Sequence, residues 1–280
     1  MNKEKMMQGV FFMTACASVA LVGLICLFLF SSGLPTIVEL GAKTFLLGQR
    51  WRPNNEIFGI LPMILGSIYI TAGAVVLGVP IGVFTAVYLA HFCPKKIYRC
   101  LKPAVELLAA IPSVIYGFFG LVVLVPFVRE MLGGTGSSIL TAAVLLGMMI
   151  LPTIISVTEA SLRAVPASYY EGALALGADK VRSYFFAVVP AAKSGIFAAV
   201  ILGVGRAIGE TMAVVMVAGN QARMPQGLLE GIRTLTTNIV IEMGYAADLH
   251  RDALLATAVV LFIFILIINM SFVYLKKRAV

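Results

Sequence analysis

The residues best equipped for chemistry in this sequence are an arginine and a glutamate set in the middle of an apolar run. In Gly203-Val204-Gly205-Arg206-Ala207-Ile208-Gly209-Glu210-Thr211-Met212, Arg206 and Glu210 are four apart. On a helix that spacing puts both side chains on one face, within reach of each other. A charge at the bilayer centre costs roughly 2.5 to 3.5 kcal/mol on insertion scales, so the pair is expected to face a bundle interior or water. Two readings are open. In one, the residues form a structural ion pair that fixes the rotation of the helix. In the other, Arg206 offers its planar fork of donors to a tetrahedral oxyanion, while Glu210 limits the stray positive field and accepts a proton-bearing oxygen. Gly205 and Gly209 permit a close helix contact beside the pair, and their spacing is not a nucleotide-binding fingerprint.

Little else in the chain has the makings of a reaction centre. The two histidines, His91 and His250, are expected in loops on opposite sides of a membrane and cannot form one site. Cys16 and Cys26 lie in the first apolar run and Cys93 and Cys100 in a basic loop, a spacing that matches neither a disulfide framework nor a common zinc pattern. No Walker A pattern is present. The expectation is a conduit without catalytic residues, metal or bound cofactor.

The elements that must position Arg206 follow from composition. Of 280 residues, 60% are hydrophobic and 12% charged, against roughly 25% charged in a soluble domain. Apolar stretches cover about 10–30, 62–90, 104–128, 138–158, 194–219 and 253–275, each near the length that crosses roughly 30 Å of hydrocarbon. Backbone facing lipid must satisfy its own hydrogen bonds, which gives an all-α bundle of six transmembrane helices. The first run is longer than a signal-peptide core and is read as a retained span. Gly78 and Pro80, Pro112 and Pro152 mark expected kinks in the second, third and fourth spans.

Orientation follows from the loop charges. With the N-terminus inside, thirteen Lys and Arg fall on inner segments, among them Lys95, Lys96, Arg99, Lys102, Arg163, Lys276, Lys277 and Arg278. The outer segments hold seven, accompanied by seven acidic residues. Both termini are therefore expected in the cytoplasm. This distribution also accounts for the net charge of +8 without a nucleic-acid partner. The chain divides into an N-terminal span with its outer loop, 1–61, and a core of 62–280. Trp51, between Arg50 and Arg52 in the outer loop, is expected to be an interfacial anchor or a contact for a soluble partner. Glu106, near the inner end of the third span, reads as an interfacial carboxylate.

One inner connection, 159–193, is too long to be a plain loop. Pro166, the run Glu171-Gly172-Ala173-Leu174-Ala175-Leu176-Gly177-Ala178-Asp179 and Pro190 predict short helices with a turn near Gly177. The stretch resembles the EAA loop of ABC importer permeases, with Gly172, Ala187 and Val189 departing from the usual alanine, isoleucine and leucine. That resemblance implies a type I, MetI-like permease fold in which Glu171, Ala173, Gly177 and Asp179 dock into a cytoplasmic ATPase.

Two longer runs narrow the likeness. Glu106 through Gly117, ELLAAIPSVIYG, and Gly205 through Asn220, GRAIGETMAVVMVAGN, resemble the phosphate importer permeases, the PstC kind more than its sister PstA. The resemblance implies phosphate transport by a heterodimer of PstC-type and PstA-type permeases in a bacterial or archaeal plasma membrane; the alternatives are a permease for another oxyanion (sulfate, molybdate or a phosphonate) and a secondary transporter. The resemblance further implies an ATPase dimer that consumes ATP and Mg below, and a phosphate-binding protein outside. The substrate path would run past Arg206, Glu210 and Thr211, with Ser113 and Tyr116 adding hydrogen bonds or serving only in helix packing.

Overall fold

The structure, a computed structural model, describes residues 2–279. Met1 and Val280, and the side chains of Lys3, Lys276, Lys277 and Arg278 used in the charge argument, lie outside the described part. Among the described residues five helices are long and apolar enough to cross a bilayer, and a pair bent by 68°, Lys180–Ala191 with Lys193–Gly209, gives a sixth when counted as one span.

The centre of the bundle is α3 (Leu61–Val87, continued by a π-turn to Phe92) against α7 (Ile139–Arg163). Glycines set their distance. A methyl at Gly78 would stand 2.9 Å from Ile150 Cδ1 and one at Gly82 would stand 2.8 Å from Ile154 Cγ2. With little hydrophobic force between helices in lipid, such close backbone approach and its dispersion contacts hold the pair together. Around it stand α11 (Lys193–Gly209), α12 (Met212–Val217) and α5 (Ser113–Phe119), the last continuing through a π-turn into α6 (Val125–Leu132). The longest helices, α1 (Asn2–Glu39) and α14 (Asp248–Ala279), pack on each other at one side. Gly33 seats that contact, since a methyl there would stand 2.6 Å from Val259 Cγ2. The first two thirds of α1 present exposed apolar side chains such as Phe11, Phe12, Leu21 and Leu27, as a helix bathed in lipid does.

The ends of the bundle differ in kind. One, the basic end, has α4 (Lys95–Ala110) and the short helices α8 (Ala167–Ala175), α9 (Lys180–Ser183) and α10 (Val189–Ala191). The opposite, far end has α2 (Ala42–Leu47), a hairpin pairing Trp51–Arg52 with Ile57–Phe58, and α13 (Leu235–Glu242).

Two expected spans are not continuous. The stretch 104–128 divides at Ile111-Pro112: α4 stops at Ala110, Ile111 is extended (φ −66°, ψ 126°), and α5 starts at Ser113. Pro80 and Pro152, by contrast, sit inside unbroken helices. Pro112 lacks the N–H that would bond Leu108 O, and the Tyr116 hydroxyl donates to that oxygen instead, at 2.9 Å. The stretch 194–219 likewise breaks at Glu210-Thr211, between α11 and α12.

Candidate functional site

The break at Glu210 corrects the expectation that Arg206 and Glu210 share one helix face. Glu210 is extended (φ −69°, ψ 130°), which ends the 3.6-residue repeat and turns its side chain onto the next helix. Its Oε1 accepts the Ala213 N–H at 3.2 Å, capping α12. Arg206, half-buried in the last turn of α11, donates from Nη1 to Thr153 Oγ1 at 3.3 Å, on the residue after Pro152 of α7. Among the described residues no carboxylate pairs with Arg206, and most of its donor fork has no partner. A methyl at Gly205 or Gly209 would meet nothing within 4 Å. The helix face beside the arginine is thus left open by this chain.

The helices that follow the two breaks, α5 and α12, pack on each other. Gly117 makes this possible: a methyl there would stand 2.9 Å from the Ala213 Cα and 2.7 Å from Met216 Sδ. Tyr116 is buried, its hydroxyl is committed to Leu108 O, and it lies within electrostatic reach of Arg206. It therefore shapes the break. Ser113, half-buried at the start of α5, has no hydrogen-bond partner among the described residues. The Thr211 hydroxyl turns back to Gly209 O at 3.2 Å.

At the basic end the expected module is present as α8 and α9 with a turn between them. Gly177 has φ +85°, a conformation that costs an L side chain roughly 1 to 2 kcal/mol. Asp179 caps α9 by accepting the Arg182 N–H at 2.7 Å. The module is anchored by buried Tyr184 and Val188, which pack with Val87 and Leu162, and by His91 stacked on Tyr184 at 4.0 Å. Its other face is bare. α8 buries no residue, Leu176 is 91% exposed, and Tyr169, Val181 and Phe186 are exposed with it. Glu171 is exposed and has no partner among the described residues; Ala173 is half-buried.

Two buried carboxylates organise the ends, and sequence reasoning passed over both. Glu159, placed there at the start of a loop, belongs to the last turns of α7. It accepts the Tyr98 hydroxyl at 2.8 Å, Lys102 Nζ at 2.9 Å and Arg163 Nε at 2.8 Å. Arg163 also donates to Leu89 O at 3.0 Å and lies 4.8 Å over the Tyr98 ring. In α4, outside the spanning helices, burial works against the charge of Lys102. Its hydrogen bond to Glu159 and that carboxylate's field outweigh burial and raise its pKa. The hydrogen bond to Glu159, then burial, raises that of Tyr98. Glu106 is exposed and 3.6 Å from Lys102.

At the far end Glu242 accepts Trp51 Nε1 at 2.7 Å and a short hydrogen bond from Arg233 Nη1, and its Oε2 lies 2.8 Å from His250 Nε2. Trp51 is therefore no interfacial anchor; it is buried, its ring edge-on to Phe58. His250 is no loop residue but stands in the first turn of α14. An indole N–H in a dry site needs an acceptor, and an acidic residue deep in a long connection is the signal that would have supplied one. A polar cavity of about 570 Å³ opens beside this cluster, walled by Arg52, Asn54, Asn55, Tyr245 and His250.

Comparison with known proteins decides the family. Residues 78–280 match the binding-protein-dependent transport system inner membrane component. The chain belongs to that family. This transport component is 36% identical to the probable ABC transporter permease protein YqgH of Bacillus subtilis, over 97% of this chain and 91% of the relative. It is 34% identical to the phosphate transport system permease protein PstC of Mesorhizobium japonicum, over 92% and 85%. With PstC of Haemophilus influenzae the identity is 35%, over 79% and 76%. In fold, the transport component is similar to a chain of the inward-facing MetNI methionine ABC transporter (20% identity, TM-score 0.66, 82% of this chain and 100% of that one). It is also similar to a chain of a bacterial alginate ABC transporter (14%, 0.61, 94% and 95%). The family match begins within α3, so both helix breaks, the module and Glu242 lie inside it and the Trp51 hairpin outside it.

Proposed function

We propose that this inner membrane transport component is one of two permeases of an ATP-driven importer, and that it moves inorganic phosphate past Arg206. The observation that carries the reading is a half-buried guanidinium, bonded among the described residues only to Thr153, on a helix face that this chain leaves open. A tetrahedral oxyanion suits such a fork, which bonds two oxygens at once. The likeness to proteins named PstC supports phosphate as the anion. A sister permease of the PstA type would close the path opposite Gly205 and Gly209.

The basic end is cytoplasmic in this reading, with both termini there. The bare apolar side of the module, Leu176 with Tyr169 and Val181, seats the ATPase dimer, with Glu171, Ala173, Gly177 and Asp179 as the resemblance implies. ATP and Mg are used in that partner. A phosphate-binding protein delivers the anion at the far end. ATPase closure, felt through α8 and α9 at Tyr184 and His91, switches the bundle between outward and inward access.

Phosphate uptake by the whole complex in proteoliposomes tests this. Arg206→Ala should lower uptake by at least about tenfold, with Arg206→Lys intermediate, while the complex still assembles. Uptake by Arg206→Ala at the wild-type rate removes Arg206 from the path. Uptake competed by sulfate, molybdate or a phosphonate better than by phosphate replaces the proposed substrate.

A further inference from the structure

The short helix α12 is held at both ends by one polar assembly at the far end. At its start the Thr236 hydroxyl of α13 donates to Glu210 O at 3.2 Å, on the residue that forms the break. Past its end, Arg233 Nε donates to Asn220 O at 3.1 Å, and Asn220 itself donates from Nδ2 to Val215 O at 2.7 Å. The same guanidinium bonds Asn238 Oδ1 at 3.0 Å and Glu242. α13, which carries Thr236, Asn238 and Glu242, is pinned by a capping box between Thr234 and Thr237 and by Leu235 N–H on Ser67 Oγ at 3.0 Å. Glu242 then reaches Trp51 of the hairpin and His250 of α14.

No apolar contact has this directionality. A guanidinium fork can hold a backbone carbonyl and a carboxylate in one plane, whereas an ammonium is a single point charge. We infer that Arg233 and Glu242 are positioning residues that clamp α12, so that the hairpin carrying Trp51 sets the alignment of the Glu210 break in the transport path. The clamp rests on the proposed function for its consequence. In that reading the far end receives the binding protein, and the clamp carries its arrival to the break.

The test uses the full complex in proteoliposomes with phosphate as the probe. Glu242→Gln and Arg233→Lys should each lower the maximal uptake rate at least about fivefold with less than about a twofold change in KM. The double variant should be no worse than the poorer single one, because both break one unit. Uptake at wild-type rates in either assembled variant overturns the clamp, as do losses that multiply. Where neither variant assembles, Trp51→Phe decides: it removes one hydrogen bond and no charge, and unchanged uptake there overturns the clamp.

A second readout does not depend on transport. In a chain whose four cysteines are replaced, the thiol introduced by Thr211→Cys should react with a hydrophilic thiol reagent at least about threefold faster once Glu242→Gln is added, because local opening becomes easier. An unchanged rate overturns the clamp. No phosphate uptake by the unmodified complex overturns the proposed function alone, and the labelling still reads the clamp.

Discussion

At each end of this bundle a buried glutamate gathers one aromatic donor and two basic side chains, yet the two assemblies do different work. Glu159 joins three continuous helices: its own, α4 through Tyr98 and Lys102, and α3 through the Arg163 bond to Leu89 O. Glu242 joins short pieces, a hairpin of two-residue strands and its own two-turn helix, to the start of α14. The basic-end partners are wet, with Arg163 47% and Lys102 22% exposed; the far-end partners Arg233 and His250 are 15% exposed. Helices packed through glycines already hold their places, so polar bonds there refine an arrangement. The far-end loops pack on Phe45, Phe58, Ile60 and Leu235, and there the polar bonds add the direction that this short-range packing lacks.

The largest expected effect sharpens this contrast. Removing one member of a buried charge cluster leaves the others without compensation, at about 3 to 5 kcal/mol. Glu242→Ala should approach that, while Glu159→Ala, whose partners can turn to water, should cost about 1 to 3 kcal/mol. Thermal unfolding of the purified complex in detergent compares them. A Glu159→Ala complex melting lower than the Glu242→Ala complex would reverse the ranking of the two ends.

How far the sequence told these regions apart depends on the range of the interactions. The spanning helices were legible because hydropathy is a local property, and the turn at Gly177 because a glycine between two short helical runs is one too. Glu159 and Arg163 are four apart and were within reach of the same logic, but they were assigned to a loop that starts only after Arg163. Trp51 and Glu242 are separated by 191 residues, and nothing in the local pattern of either names the other. The Arg206 and Glu210 pairing failed for the opposite reason. Helical spacing was extended through Glu210, where the chain leaves the helix, and the break is set by Thr236 and Ala213, which lie outside the four-residue window.

A second, smaller test concerns how each break is held. Tyr116→Phe removes the donor on Leu108 O, the carbonyl freed by Pro112, and should cost about 1 to 3 kcal/mol for a buried acceptor left unpaired. Thr211→Val removes only a half-exposed hydroxyl bonded back to Gly209 O, and should cost within about 0.5 kcal/mol. Equal melting of the two variants would show that the Pro112 break does not lean on Tyr116.

In the basic-end module of α8 and α9 the same reasoning separates two glycines. Gly177→Val places a branched side chain at φ +85° and should cost about 1 to 2 kcal/mol. Gly172→Val, within α8 and open on all sides, should change stability by no more than about 0.5 kcal/mol, since no contact is lost. Leu176→Asp should leave melting unchanged and weaken capture of the ATPase by at least about tenfold; capture at wild-type strength would remove Leu176 from the docking face.

The smallest effect, and the one that distinguishes the ends most cleanly, is alkaline titration. The folded state raises the pKa of Lys102 and of Tyr98 through Glu159. A raised pKa means stability that is fully present below the unfolded values, about 10.4 for lysine and 10 for tyrosine, and is lost as pH climbs through the folded ones. Above about pH 10 the contacts of α4 with α7 should therefore loosen first, because among the described residues no lysine or tyrosine hydroxyl is bonded to Glu242 at the far end. Hydrogen exchange across that range reads both ends at once. Loss of protection in α13 before α4 would mean that the far-end assembly, not the basic-end one, is the more easily released.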